Sequence, residues 1–491
     1  MQSSEPSQRA AINPPPPHLP ALRQGRPYAS LDQTELKDCR TGSPLGRVSV
    51  VNAGIIRKDL ARIGAVREAL KQFSCEQLLQ ICRGAATVFL QETLPLGDRG
   101  HTQSPGQFIE SLSATSGLPF VMVRRNMDKL AQALSNMPAI LNGLTRGLDL
   151  GILDRGFGRQ GGTGISFYPT AQCLGLVMPS NSPGVNSLWL PAIPLKIPVV
   201  LKPGREEPWT PYRLIQALIA AGCPAQAFGF YPTDHDGAAE ILRSCGRALV
   251  FGDKTTTAPY AGNPAIQIHG PGFSKILIGV DEIERWPEFI DVMVASIADN
   301  GGRSCINASA VVVPKYAPEI ADALARKLGP VMPLPAGDEH ARLSAFANPR
   351  MADSIDAMIE DGLRSPGATD VTAKHRNGPR KAAFEGGVYL RPTIVLCDSF
   401  AHPLANREFL CPYSSVVQVP EADMFSQIGP SLVVTAITHN PAFREALLDS
   451  PLIERLNLGP ISTMQVSWDQ PHEGNLFEFL YRRRAIELAS A

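Results

Sequence analysis

The chain has 491 residues, too many for one ordinary core, so two or three domains are expected. Apolar residues make up 44% and charged residues 19%, and 46 Lys and Arg balance 46 Asp and Glu. That composition buries a sizeable core and sets up no global field for nucleic acid or an anionic membrane, which leaves a small molecule as the expected partner.

The first 45 residues include the proline run 14–17 and are expected to form a mobile or surface-wrapping tail. Residues 1–20 lack the apolar centre of a signal peptide, and no later stretch is apolar for long enough to span a bilayer. The nine cysteines are scattered without a C-x-x-C pair or other metal-ligand spacing, which points to a reduced, cytoplasmic protein with no metal. Apolar residues at three- and four-residue intervals predict helices over 57–73, 75–93 and 120–144, and the Gly-rich stretch 156–164 closes them.

From residue 164 short apolar runs alternate with helical ones. Strands are expected within 165–178, 197–202, 227–231, 248–251 and 265–269, with helices over 211–221 and 237–244. This rhythm predicts an α/β fold whose parallel, doubly wound sheet binds a nucleotide at the carboxyl ends of its strands. A second α/β block starts near residue 272. Its strands are expected at 276–278, 308–313, 388–396, 415–419 and 432–438, and its helices at 286–298 and 318–328. The charged, weakly periodic stretch 336–385 is expected to decorate the surface. His235 stands between Asp234 and Asp236, where a polar loop is a simpler reading than a metal site.

Six segments follow in order: M-P-S-N-S-P (178–183), V-V-L-K-P-G-R-E-E-P-W-T (199–210), H-G-P-G (269–272), N-G-G-R-S-C (300–305), G-G-V-Y-L-R-P-T (386–393) and R-E-F-L-C-P (407–412). Each is weak alone. In this order and spacing the series resembles the aldehyde dehydrogenase superfamily, over about residues 164–419. The resemblance implies an aldehyde dehydrogenase-like fold of two Rossmann-type lobes with an oligomerisation flap. Residues 46–270 would form the dinucleotide-binding domain, including the N-terminal helices and the first flap strands. Residues 271–440 would form the cysteine domain, and 441–491 would return to the cofactor domain and to contacts between copies in a dimer or tetramer.

The same resemblance assigns roles. Cys305 follows a helix and a Gly-Gly turn and is expected to be the nucleophile, since a thiolate both attacks and leaves a carbonyl readily. Arg303 is expected to lower its pKa. The Asn181 amide and the Cys305 backbone N–H would form the oxyanion hole. Lys202 would hold the cofactor ribose, and Glu408 the nicotinamide ribose, with Leu410 close by. Arg205 replaces a frequent Glu, and its fit to a 2′-phosphate tilts the cofactor from NAD towards NADP. In F-G-D-K-T-T-T-A (251–258) both family glycines are lost, to Asp253 and Ala258. Thr255 and its neighbours are expected to cap a helix facing the pyrophosphate, with Lys254 adding charge.

His269 is the informative departure. Hydrolytic members carry Glu there to activate the water that cleaves the thioester. The His-Gly-Pro-Gly segment instead resembles CoA-acylating aldehyde dehydrogenases and, more faintly, the fatty-acyl reductases of bacterial bioluminescence. The leading expectation is therefore exchange between an aldehyde and an acyl thioester through Cys305, with CoA as co-substrate. His269 as a base in hydrolysis, a strand-end His269 without a role, and a scaffold protein with reduced catalysis remain alternatives.

Overall fold

The computed structural model describes residues 16–487. Two seven-stranded sheets, one per lobe, organise it. In the first, the strand order is Ile266–His269, Gly246–Phe251, Cys173–Val177, Val199–Lys202, Phe228–Phe230, Ala21–Arg23 and Arg26–Tyr28. The first five run parallel. Cys173–Val177 is buried on both faces, as a central parallel strand requires. The order reverses between Cys173–Val177 and Gly246–Phe251, so a crevice opens beyond their carboxyl ends.

The expected tail is only partly a matter of the described residues, because 1–15 lie outside them. From His18 onward the chain is ordered instead. Ala21–Arg23 pairs antiparallel with Phe228–Phe230, and Leu19, Ala21 and Leu22 are buried. Those apolar side chains cover what would otherwise be an open sheet edge. Pro44–Ser49 pairs with Gln33–Lys37 and His18–Leu19 in a small second sheet.

The helical region departs from expectation in its breaks. The 57–73 stretch divides into Ala53–Leu60 and Ile63–Lys71, and 120–144 into Phe120–Ser135 and Met137–Thr145. The second break falls where Pro138 cannot supply a backbone N–H. Cys75–Gln91 starts in a capping box formed by Ser74 and Gln77.

The second lobe orders its strands Ala368–Asp370, Thr393–Cys397, Tyr413–Gln418, Ala308–Val313, Ser274–Ile278, Ser431–Ile437 and Ile453–Leu458, parallel except at Ala368–Asp370. The single strand expected over 388–396 is two, Gly387–Leu390 and Thr393–Cys397, which belong to different sheets. The stretch 336–385 is not mere decoration. It contains the helix Pro349–Arg364, which buries Ala352, Ile355 and Ile359 in the second-lobe core. Arg380 is buried too, held by Asp370, Asp356 and Glu360. The wide polar face of that helix hides a narrow apolar stripe.

A three-stranded sheet joins Phe157–Gln160, Thr163–Pro169 and Tyr481–Arg484. Gly161 and Gly162 both take positive φ, 56° and 80°, in the two-residue hairpin turn. Of the strands expected within 165–178, Thr163–Pro169 belongs to this flap and Cys173–Val177 to the first-lobe sheet. No helix among the described residues is long and apolar enough to cross a membrane.

Glu207 stands at the entry to helix Trp209–Ala220, 2% exposed, and accepts from the Thr210 N–H at 2.9 Å. Burial pushes its carboxyl up from 4.5 to about 8. The folded chain thus retains a proton that the unfolded chain releases, and stability falls as pH rises between those two values, by about 1.4 kcal/mol per pH unit. Glu207→Gln mimics the protonated form, so thermal unfolding across that range should show wild type declining more steeply than the variant, in which only Glu408 and other groups still contribute. Parallel declines would exclude Glu207 as the source.

Candidate active site

The crevice ends at Cys305. After helix Ile290–Ala298 three successive residues take left-handed conformations, Asn300 (φ 55°), Gly301 (67°) and Gly302 (65°), and turn the chain towards the thiol. Two glycines are required by close approach. A Cβ on Gly302 would lie 2.4 Å from the Cys411 backbone carbon, and one on Gly272 would lie 2.0 Å from the Cys305 carbonyl oxygen. The last residue of His-Gly-Pro-Gly is therefore glycine for a packing reason that holds whatever the acyl acceptor.

Hydrogen bonds fix the loop from both sides. Asn307 accepts from the Ser304 N–H at 2.9 Å, and Ser274 donates to the Cys305 carbonyl at 3.0 Å. The Asn126 amide donates to Asn300 at 2.9 Å, and its oxygen accepts from the Gly184 N–H at 3.1 Å. One buried side chain thus ties the thiol loop to the turn that carries Asn181. The sequence reading missed Asn126, which looks like any polar residue on an amphipathic helix.

Cys305 is half-buried where two cavities meet, and both include Asn181, Val185 and His269 in their walls. One is walled largely by Ile140, Leu144, Leu188 and Trp468, with Lys129, His472 and Glu473. The other passes Ser180, Glu206, Phe251, Asp253, Glu408 and Leu410. Asn181 reaches the thiol loop, donating to the Arg303 carbonyl at 2.8 Å. The Arg303 guanidinium does not serve the thiol as expected; it donates to the Ser116 carbonyl at 2.7 Å. The cation that opposes the upward shift of the Cys305 thiol is Lys129. Burial drives that shift, with the Glu473 and Glu408 carboxylates adding to it.

His269 ends its strand buried, stacked on Phe251 with centroids 4.4 Å apart. Its Nδ1 is bonded to the Glu473 carboxylate, while its Nε2 is buried without a partner. Gln267 clamps the same loop, donating to the Glu473 carbonyl at 2.6 Å. Glu473 comes from W-D-Q-P-H-E-G-N-L-F-E-F (468–479), an unusual segment in which sequence alone showed no chemistry. Its distance of 204 residues from His269 removes any local signal.

The expected cofactor residues are not all gathered in the crevice. Lys202 ends its strand there, half-buried, its Nζ donating to the Pro203 carbonyl at 3.2 Å. Arg205 is exposed, and the cleft wall carries Glu206 instead. Lys254 and Thr255 are exposed and stand outside the wall; the Lys254 ammonium lies over the Phe273 ring at 5.1 Å. The cap of the short helix Lys254–Thr257 is Asp253, which accepts from the Thr256 N–H at 2.8 Å, so the expected threonine cap is replaced by a carboxylate. Glu408 is in place. It accepts from the Phe273 N–H at 2.8 Å, and burial pushes its carboxyl up to about 7.

A family model described as "Aldehyde dehydrogenase family" matches residues 171–428, a span that includes the crevice strands, Asn181, His269 and Cys305. The chain belongs to the aldehyde dehydrogenase family. It is similar to the aminoacetaldehyde dehydrogenase of Pseudomonas aeruginosa, 26% identical over 296 residues. That match covers 56% of this chain, and the chain spans about half the length of this curated relative, 56%. In fold it is similar to an NAD-dependent aldehyde dehydrogenase from Sinorhizobium meliloti, with TM-score 0.74, 15% identity and coverage of 96% and 94% of the two chains. A 3,6-anhydro-L-galactose dehydrogenase solved in complex with NAP gives 0.75 and 14%, covering 96% and 100%. These aldehyde dehydrogenase folds cover nearly the whole of this chain.

Two substitutions test the site's construction. Gly272→Ala forces the Cys305 carbonyl aside and should cost about 1–3 kcal/mol of stability with loss of thiol positioning; an unchanged melting temperature would refute the close approach. Glu473→Gln removes a negative charge facing the thiol, lowering its pKa. Alkylation of the Cys305 peptide by iodoacetamide, followed by mass spectrometry, should therefore accelerate at fixed pH. An unchanged rate would show that the carboxylate does not reach Cys305.

Proposed function

We propose that the chain oxidises an aldehyde to a carboxylic acid with NAD(P), through a thioester on Cys305 that water cleaves with His269 as base. The observation that carries this reading is the His269–Glu473 pair. A carboxylate on Nδ1 fixes the tautomer and orientation of the ring and leaves Nε2 as the proton acceptor. That nitrogen is buried and unpartnered in a residue shared by both cavity walls. The glutamate missing at position 269 is thus replaced by an imidazole with a glutamate behind it.

The crevice residues fit a dinucleotide. Glu206 and Glu408 offer carboxylates for ribose hydroxyls, and Lys202 ends the neighbouring strand. Glu206 in the wall and Arg205 in solvent favour a free 2′-hydroxyl, and so NAD over NADP. Bound there, the nicotinamide supplies the hydride acceptor. Cys305 loses its proton to solvent and its sulfur adds to the aldehyde carbon, while the Asn181 amide and the Cys305 N–H take the oxyanion. Loss of hydride leaves the thioester. His269 Nε2 then removes a proton from water, the hydroxide adds to the acyl carbon, the C–S bond breaks and the proton returns to sulfur.

A second reading, acyl transfer to CoA or acyl reduction in reverse, is favoured by the absence of a carboxylate at position 269 itself. Assembly into a dimer or tetramer belongs to the same proposal, supported by the edge strand Phe157–Gln160, where Phe157 is 43% exposed.

Purified protein with NAD⁺ or NADP⁺ and an aldehyde panel, with and without CoA, tests both. Free acid should form without CoA. His269→Ala should slow deacylation by about 10²–10⁴-fold, giving one burst of reduced cofactor per site and a Cys305 thioester visible by mass spectrometry. Strict dependence on CoA, with acyl-CoA as product and His269→Ala unaffected, would replace the hydrolytic reading with the acylating one. Failure to bind either cofactor would sink the oxidoreductase altogether.

A further inference from the structure

We propose that the cavity on the Lys129 side of Cys305 takes an aldehyde bearing a carboxylate, with the Lys129 ammonium as the partner of that carboxylate. This rests on aldehyde oxidation at Cys305 as proposed above, and it names the substrate class.

Lys129 projects from helix Phe120–Ser135 one turn after Asn126, the residue that ties the two catalytic turns together. Its side chain lies against the wall at Gly184, where a Cβ would stand 3.6 Å from Nζ. The rest of that wall is mainly apolar, with Ile140, Leu144, Leu188 and Trp468. Lys129 is half-buried, and the fully buried lysines of the chain have found partners. Lys196 pairs with Asp154 at 2.5 Å, and Lys275 donates to the Phe273 carbonyl and to Ser431. Lys129 has neither an ion pair nor a hydrogen bond among the described residues; burial, with Arg455 adding to it, pushes its ammonium below the ordinary lysine value, and only Cys305 opposes that shift.

Nothing else in the cavity compensates it. Glu473, the one carboxylate in the wall, is engaged by His269 Nδ1. His472 is kept neutral, held well below the ordinary histidine range by burial and by Arg455, Lys129 and His269. Arg455 stands behind His472, donating towards its ring at 3.3 Å and to the Gln465 carbonyl at 2.6 Å. An uncompensated, half-buried ammonium in a mainly apolar pocket is costly, and a ligand carboxylate relieves that cost. A neutral aldehyde leaves it in place, and an amine-bearing aldehyde adds a second cation. A single ammonium without an arginine fork or a nest of backbone N–H groups suits a carboxylate better than a phosphate dianion.

The competing role for Lys129 is to act on the Cys305 thiol alone, and the experiment separates the two. The values of kcat/KM are compared for a series of semialdehydes and for unsubstituted and amine-bearing aldehydes of matched length, in wild type and Lys129→Met. Wild type should favour the semialdehyde by about tenfold or more, and the variant should lose that preference through KM, with Lys129→Arg restoring part of it. If Lys129 serves only the thiol, Lys129→Met lowers every substrate by one factor and the preference survives, which overturns the proposal. A wild type without the preference overturns it too. If no aldehyde is oxidised, the reading of function fails on its own, and calorimetric titration with a dicarboxylate against a monocarboxylate still decides. Dicarboxylate binding lost in Lys129→Met upholds the anion site, and no selective binding to wild type refutes it.

Discussion

Where two parallel sheets meet end to end, the loops leaving their strands must pass one another in a space too narrow for side chains. In this molecule that space is the contact between Gly272 and the Cys305 carbonyl, matched by the contact of Gly302 with the Cys411–Pro412 backbone. The rest of the site hangs from these two approaches. They fix the depth of the thiol, and they bring Glu408 to the Phe273 N–H and the Leu432 N–H to the Gly272 carbonyl at 2.7 Å. They also leave His269, three residues before Gly272, at the mouth between the lobes. The motif glycines are the backbone's answer to crowding before they are anything chemical.

Around that contact the charges are arranged asymmetrically. Glu408 and Glu473 both face Cys305 and, with burial, hold its thiol protonated in the resting molecule; Lys129 opposes them. Glu408 itself is lifted by burial while Lys275, beside it, is lowered to about 7 by the same cause. The site therefore stores little net charge, and Lys129 stands out in it as a cation without a counter-ion.

The legibility of the sequence followed the range of the signal. Buried parallel strands such as Val199–Lys202 and Ala308–Val313 are short runs rich in valine and could be read locally. The crevice positions of Cys305, Asn181 and Glu408 were legible in the same way, because these residues sit in short motifs at strand or helix ends. The helix Pro349–Arg364 was missed because the buried side chains Ala352, Ile355 and Ile359, at three- and four-residue spacing, are faint among mostly polar or exposed neighbours in a charged stretch. The order in 18–49 was missed because a proline-rich start looked like a tail, whereas its short strands gain their stability only from the sheet edge they cover. Arg303 near Cys305 suggested an activating cation, but adjacency in sequence says nothing about where a long side chain points.

What the sequence determined by itself was the pair of α/β lobes and the family. The lobes depend on short-range periodicity and turn chemistry, which the sequence records directly, and the family on six short segments recurring in order along the chain. What only the tertiary structure decided was the company that the Cys305 thiol keeps. Glu473 behind His269, Asn126 between two turns, Glu206 rather than Arg205 in the cleft, and Lys129 unpaired across the cavity are all meetings of residues far apart in the chain. Their side-chain directions are set by packing, and no local pattern carries that information.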